Sequence, residues 1–298
     1  MIIHNPCNEY TKRYRNYNLF WDELTNALKN KYTVTENRTF EKAHQGVMIT
    51  IGGKEIRILD CEYIIEYEDS IYVMSISDDL NACILQDNPK IKKVLVSQFI
   101  DYKMKHHVQN INLYSPWIYF QQTCIDLEPY VSKEGYKIPK LYFRGSKSYR
   151  PILNHFDTFI LYCPDYTVNQ EEYLKEIVQY KVALSIAGIG EICYRDIECM
   201  ILGIPFLRFQ YQSSLYEPLI PNYHYISVDY DKTIPQHNGV HTDRLGEKVH
   251  AKQLEKRFIE VVKDENFLKF IAKNARDYYD TYLSPSVRVN KTLELLGI

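Results

Sequence analysis

No two cysteines of this chain stand in a C-x-x-C pair, so local spacing offers neither a zinc ribbon nor a redox dithiol. The seven cysteines (Cys7, Cys61, Cys83, Cys124, Cys163, Cys193 and Cys199) are odd in number and scattered, which predicts free thiols in a reducing compartment. No window approaches the about 18 apolar residues of a membrane span. The start, Met1-Ile2-Ile3-His4-Asn5-Pro6, turns polar too soon for a secretory leader, and Leu295-Leu296-Gly297-Ile298 matches no retention signal. Basic excess is missing too: the formal net charge is -2, which argues against a nucleic-acid partner bound through clustered Lys and Arg. Internal repeats and low-complexity tracts are absent. These absences together predict a cytoplasmic protein without a membrane span.

What is present suits a globular enzyme or binding protein. At 298 residues, 45% hydrophobic and 25% charged, the chain can bury the cores of two ordinary domains. Its 27 tyrosines fit half-buried rings with wet hydroxyls; such residues line sugar clefts, but compositional drift produces the same count.

Strand-like and helix-like stretches alternate, the pattern of an α/β fold. Asn18–Lys31 reads as helix from Leu19, Phe20, Leu24 and Leu28. Glu55–Tyr67, Ser70–Ile76 and Lys93–Phe99 read as strands, as do Ile138–Phe143, Thr158–Tyr162 and Val182–Ile186 further on. Helices are expected near Gln170–Gln179, over Glu191–Leu202, and through most of Lys252–Leu296. The Pro- and Gly-bearing stretch Pro129–Pro139 marks a boundary between residues 1–134 and 135–298. Two Rossmann-like halves facing a cleft, with C-terminal helices that could cross back, is the shape of the GT-B glycosyltransferases. Ligands of such sheets bind outside the carboxyl ends of strands.

Three runs carry chemistry. In the first, a strand ends at Ala187-Gly188-Ile189-Gly190-Glu191 and a helix follows at once, with Arg195 in its first turns. A helix start favours an anion, glycines permit close approach, and an arginine supplies a forked cation. The bland alternative is a plain turn, with Arg195 paired to Glu191 four residues earlier. The second run, Tyr142-Phe143-Arg144-Gly145-Ser146, again sets a cation, a glycine and a hydroxyl at a strand end. The third is Leu219–Val228 with His224, a residue that in isolation is more often packed than catalytic.

Taken in chain order, the runs resemble glycosyltransferase family 90, which holds the Rumi-type protein O-glucosyltransferases and the fungal capsule-associated xylosyltransferases. Phe143–Ser146 looks like the family's F-R-G-S run. Gly188–Arg195 followed by Gly203 looks like its glycine-containing stretch. Leu219–Val228 is similar to its L-x-P-x-x-H-Y-[IV]-P-V run, with Ser227 in place of proline. The resemblance covers roughly residues 140–298. It implies an inverting transfer of xylose or glucose from a UDP-sugar to a hydroxyl of a glycan or glycoprotein. The donor would be held by Arg144, Gly145, Ser146, Gly188, Gly190, Glu191, Arg195 and His224, with no cofactor and no essential metal. Glu191, Ile192 and Cys193 stand where the family has small or hydroxyl residues, and one extra residue precedes Arg195. Without a leader or retention signal, the chain looks like a microbial or viral relative working in cytosol, the host's if viral.

An inverting transfer needs a base to take the acceptor's proton. Asp78 or Asp79, closing Val73–Ser77, is the preferred candidate; Asp69, which ends the ungapped run Asp60–Asp69, is the other. A metal-dependent GT-A enzyme would use D-x-D, which Asp229-Tyr230-Asp231 fits literally but late in the chain. A Rossmann methyltransferase would need a glycine-rich loop after the first strand, where Asn5-Pro6-Cys7-Asn8 stands instead. The remaining alternative is a catalytically degenerate nucleotide- or glycan-binding protein.

Overall fold

The computed structural model describes all residues except 6–14, 39–46, 52, 59–61, 76–89, 97–111, 115–127, 132–137, 146, 148–149, 188–192, 212–216, 230–235, 238–239 and 242–243. The chain forms two compact units: Met1–Cys124 with Ser213–Pro218 and Tyr282–Ile298, and Ile125–Gln212 with Leu219–Thr281. Both are α/β.

In the first unit, β1 (Ile2–Asn5) is followed by helix α1 (Arg15–Lys29) and strand β2 (Thr35–Arg38). Among the described residues, strands β3 (Val47–Ile51) and β4 (Lys54–Ile58) pair only with each other. Strands β5 (Glu62–Tyr67), β6 (Ser70–Ser75), β7 (Ile91–Val96) and β8 (Asn112–Tyr114) complete a six-stranded sheet of order β2-β1-β5-β6-β7-β8. Its pairs are parallel except where β5 runs against β1 and β6. The expected strand Glu55–Tyr67 is thus two strands, and β5 turns back into β6 as a hairpin at Glu68, which takes φ 55. Helix α1 buries Phe20, Trp21, Leu24 and Leu28 on one face. Trp21 stacks on Tyr63 at 4.8 Å, and Thr25 meets the Tyr63 hydroxyl at 2.6 Å. Each such buried apolar side chain stabilises by about 1.5–3 kcal/mol.

The second unit holds a five-stranded, wholly parallel sheet: β9 (Ile138–Tyr142), β10 (Leu161–Tyr162), β11 (Tyr180–Leu184), β12 (Phe206–Phe209) and β13 (Ile226–Val228), in the order β10-β9-β11-β12-β13. Helix α2 (Gln170–Ile177) joins β10 to β11, and α3 (Tyr194–Leu202) joins β11 to β12. Apart from Lys181, the run YKVAL of β11 is apolar and buried, as expected for a strand covered on both faces. Asn169 caps α2 reciprocally with Glu172, and Gly203 ends α3 in the left-handed conformation at φ 66. After the small hairpin β14 (Gln236–His237) and β15 (Val240–His241), helices α4 (Arg244–Val261) and α5 (Glu265–Tyr278) bring Leu254, Phe258, Leu268 and Ile271 into one core with Leu184, Leu207 and Ile226. The last helix, α6 (Pro285–Leu296), belongs to the first unit, where it packs on α1 and Arg288 pairs with Glu23. Among the described residues no helix is long and apolar enough to cross a membrane.

Candidate functional site

In the parallel sheet, the chain leaves β9 for β10 on one side and leaves β11 for β12 on the other. Between β9 and β11 the strand order therefore reverses, and such a switch point opens a crevice outside the carboxyl ends of the strands. The described parts of two of the expected runs lie there. Strand β9 leads into Phe143-Arg144-Gly145, and β11 leads through Ser185-Ile186-Ala187 toward Cys193, the residue that caps α3.

Arg195 stands in the first turn of α3. Its guanidinium lies 4.1 Å from the centre of the Phe143 ring, and Nη2 donates to the Arg144 carbonyl. Its buried Nε has no acceptor among the described residues. A cation at a helix start opposes the helix dipole, and a buried donor without an acceptor costs about 1–3 kcal/mol. Both costs fall when an anion arrives. Gly145 takes φ +156, and a Cβ there would sit 3.4 Å from the Phe143 ring and 3.5 Å from Arg195 Nη2. Arg150, which the sequence reading passed over, donates from Nε to the Ile186 carbonyl at 3.1 Å and lies 5.6 Å from the Phe143 ring centre. Burial pulls its pKa below the ordinary arginine value, and Arg195 adds to the effect.

Beneath these cations Asp196, fully buried, fixes the start of α3. It accepts from the Cys193 N–H at 3.0 Å, from Arg208 Nη1 of β12 at 2.6 Å, and from the Ser185 hydroxyl at the end of β11. The helix is thereby tied to two strands by one carboxylate.

Arg144 is placed differently from the expectation. Its Nε donates to Glu176 of α2 at 2.9 Å and to the Tyr142 hydroxyl at 3.2 Å, and Nη1 donates to the Tyr166 carbonyl at 2.6 Å. Glu176 also accepts from the hydroxyls of Tyr142 and Tyr162, at 2.8 and 2.9 Å. The Arg144 side chain is thus turned onto α2, and it is the backbone carbonyl that meets Arg195.

His224 is buried in the turn before β13, at the amino edge of the parallel sheet, while Arg144, Gly145 and Arg195 are at the carboxyl edge. Nδ1 accepts from the Ile220 N–H at 2.9 Å, the ring packs on Tyr223 and Tyr278, and burial pushes its pKa down to about 4. Asp69 sits in the β5–β6 turn at the amino end of β6, fully exposed, with Lys90 3.8 Å away. Asp78, Asp79, Ser146, Gly188, Gly190 and Glu191 lie outside the described residues, as do Tyr230 and Asp231. Asp229 is exposed and accepts from Gln210. Among the described residues no cluster of three or more His, Cys, Asp or Glu side chains could hold a metal ion, and Cys163, Cys193 and Cys199 form no disulfide with one another.

No family model matches the chain, and no curated protein does. Among solved structures it is similar to TarM, a glycosyltransferase of GT-B type, at 11% identity and a TM-score of 0.41 over 69% of this chain. The aligned part spans 43% of TarM, less than half its length.

Proposed function

We propose that this chain is an inverting glycosyltransferase of GT-B organisation. It moves xylose or glucose from a UDP-sugar to a hydroxyl of a glycan or glycoprotein, without a metal ion. The observation that carries the reading is Arg195. It is a cation at a helix start, at the switch point of a parallel sheet, beside Arg150 and Gly145, with a buried Nε lacking an acceptor among the described residues. A diphosphate supplies the missing acceptor and the negative charge that both arginines and the helix start favour. The family resemblance of Phe143–Ser146, Gly188–Arg195 and Leu219–Val228 supports the choice of a sugar nucleotide among diphosphates.

Each residue has a task. Arg195 and Arg150 neutralise the diphosphate as the sugar leaves, which is the role a metal fills elsewhere. Gly145 keeps the turn thin enough for close approach. Arg144 works mainly as a brace, since Glu176 holds its side chain while its carbonyl orients Arg195. The acceptor's proton goes to Asp78 or Asp79, which follow the carboxyl end of β6 in the first unit. The test is a thermal-shift panel of UDP-sugars followed by UDP-release assays with candidate acceptors. Stabilisation by one UDP-sugar with UDP release supports the reading. Stabilisation without turnover on any acceptor would favour a degenerate nucleotide-binding protein.

A further inference from the structure

A carboxylate and a fixed aromatic ring sit at the end of the strand beside β9, and neither has a task in the account above. Strand β10 ends at Tyr162, and the chain continues through Cys163 and Pro164 to Asp165 and Tyr166. Tyr166 is 60% exposed, yet it is held at three points. Its carbonyl accepts from Arg144 Nη1 at 2.6 Å, its ring lies 4.7 Å from the Arg144 guanidinium carbon, and its hydroxyl is 3.4 Å from that of Tyr162. An exposed tyrosine is ordinarily free to turn. This one is ordered before any ligand arrives, so stacking on it forfeits little rotamer freedom. Asp165 has a mostly exposed carboxylate whose Oδ1 meets Lys147, on the turn after β9, at 2.5 Å.

The placement has a physical logic. In doubly wound sheets the phosphates sit at the turn after the first strand. An acidic residue about 20 residues further on, at the end of the neighbouring strand, takes a ribose hydroxyl. Asp165 stands about 20 residues after Gly145, at the end of the strand next to β9. Arg144 links the two places, because its carbonyl accepts from Arg195 while its side chain backs Tyr166.

We propose that Asp165 and Tyr166 form the nucleoside half of the donor site, with the Tyr166 ring stacking on the base and the Asp165 carboxylate accepting from a ribose hydroxyl. The proposal rests on the sugar-nucleotide reading above.

Calorimetric titration of the full chain with UDP, 2′-deoxy-UDP and inorganic pyrophosphate tests it. Tyr166→Ala should weaken UDP binding by about tenfold or more, the scale of one lost base–aromatic stack, while leaving pyrophosphate binding unchanged. Retained pyrophosphate binding also shows that the variant is folded, since the backbone bond from Arg144 to residue 166 survives the substitution. Tyr166→Phe should bind UDP like the parent. Asp165→Asn should narrow the parent's preference for UDP over 2′-deoxy-UDP. If Tyr166→Ala binds UDP as the parent does, or loses UDP and pyrophosphate alike, the nucleoside proposal is overturned and the diphosphate site stands. A parent that binds pyrophosphate but gains nothing from the nucleoside overturns this proposal and the sugar-nucleotide reading together.

Discussion

Arg195, Gly145 and His224 each make a separate prediction at the residue scale. Arg195→Lys keeps the charge but loses the fork, so UDP binding should weaken by about 1.5–3 kcal/mol, read by calorimetry. An unchanged affinity would make the arginine a purely structural partner of Phe143 and the Arg144 carbonyl. Gly145→Ala places a Cβ on a backbone at φ +156, a conformation L residues rarely adopt, and against the Phe143 ring. It should cost about 1–3 kcal/mol of stability by denaturant titration. His224 is held neutral by burial, with its pKa pushed down from 6.5 to about 4. Below its unfolded pKa the unfolded chain binds the proton first. The stability it contributes is therefore complete above about pH 6.5 and falls away toward pH 4, by roughly 3 kcal/mol in all. His224→Gln should flatten that part of the pH–stability curve; an unchanged slope would show that other groups set it.

At the scale of elements, the start of α3 depends on Asp196. Asp196→Asn leaves Arg208 buried beside a neutral amide, and breaking a buried pair of this kind costs about 3–5 kcal/mol. Because α3 carries Arg195, loss of UDP affinity should accompany the loss of stability. The aspartates that precede and follow β6 in the sequence make a contrasting pair. Asp69→Asn, in an exposed turn, should change stability by no more than about 0.5 kcal/mol and leave turnover intact. Asp78→Asn should keep UDP binding but lower turnover about 10²–10⁴-fold. The reverse outcome in the transfer assay would move the base to Asp69.

The same elements show what can be read without coordinates. Strands β9 and β11 and helix α2 were legible because each is an apolar or amphipathic run bounded by a glycine, a proline or a capping residue. The break between Tyr67 and Ser70 was legible too, but not the tight antiparallel return of β5 into β6, since Glu68-Asp69 lacks the Gly or Asn that announces a hairpin. Arg144 was legible as a cation at a strand end and Arg195 as one in the first turn of a helix. The partner that turns Arg144 away, Glu176, is 32 residues distant on α2, beyond the reach of any local pattern. Arg150 was missed for a related reason: only the folded strand order brings it to the Ile186 carbonyl, 36 residues away after β11.

For the whole molecule, the account requires that charge on the donor be met by the chain's own arginines and helix start rather than by a bound cation. The measurement that bears on this most directly is a calorimetric titration of the full chain with UDP in excess EDTA. The account predicts saturable binding of one UDP per chain, unchanged by chelation. Absence of binding, or binding that appears only when Mn²⁺ or Mg²⁺ is restored, would contradict it.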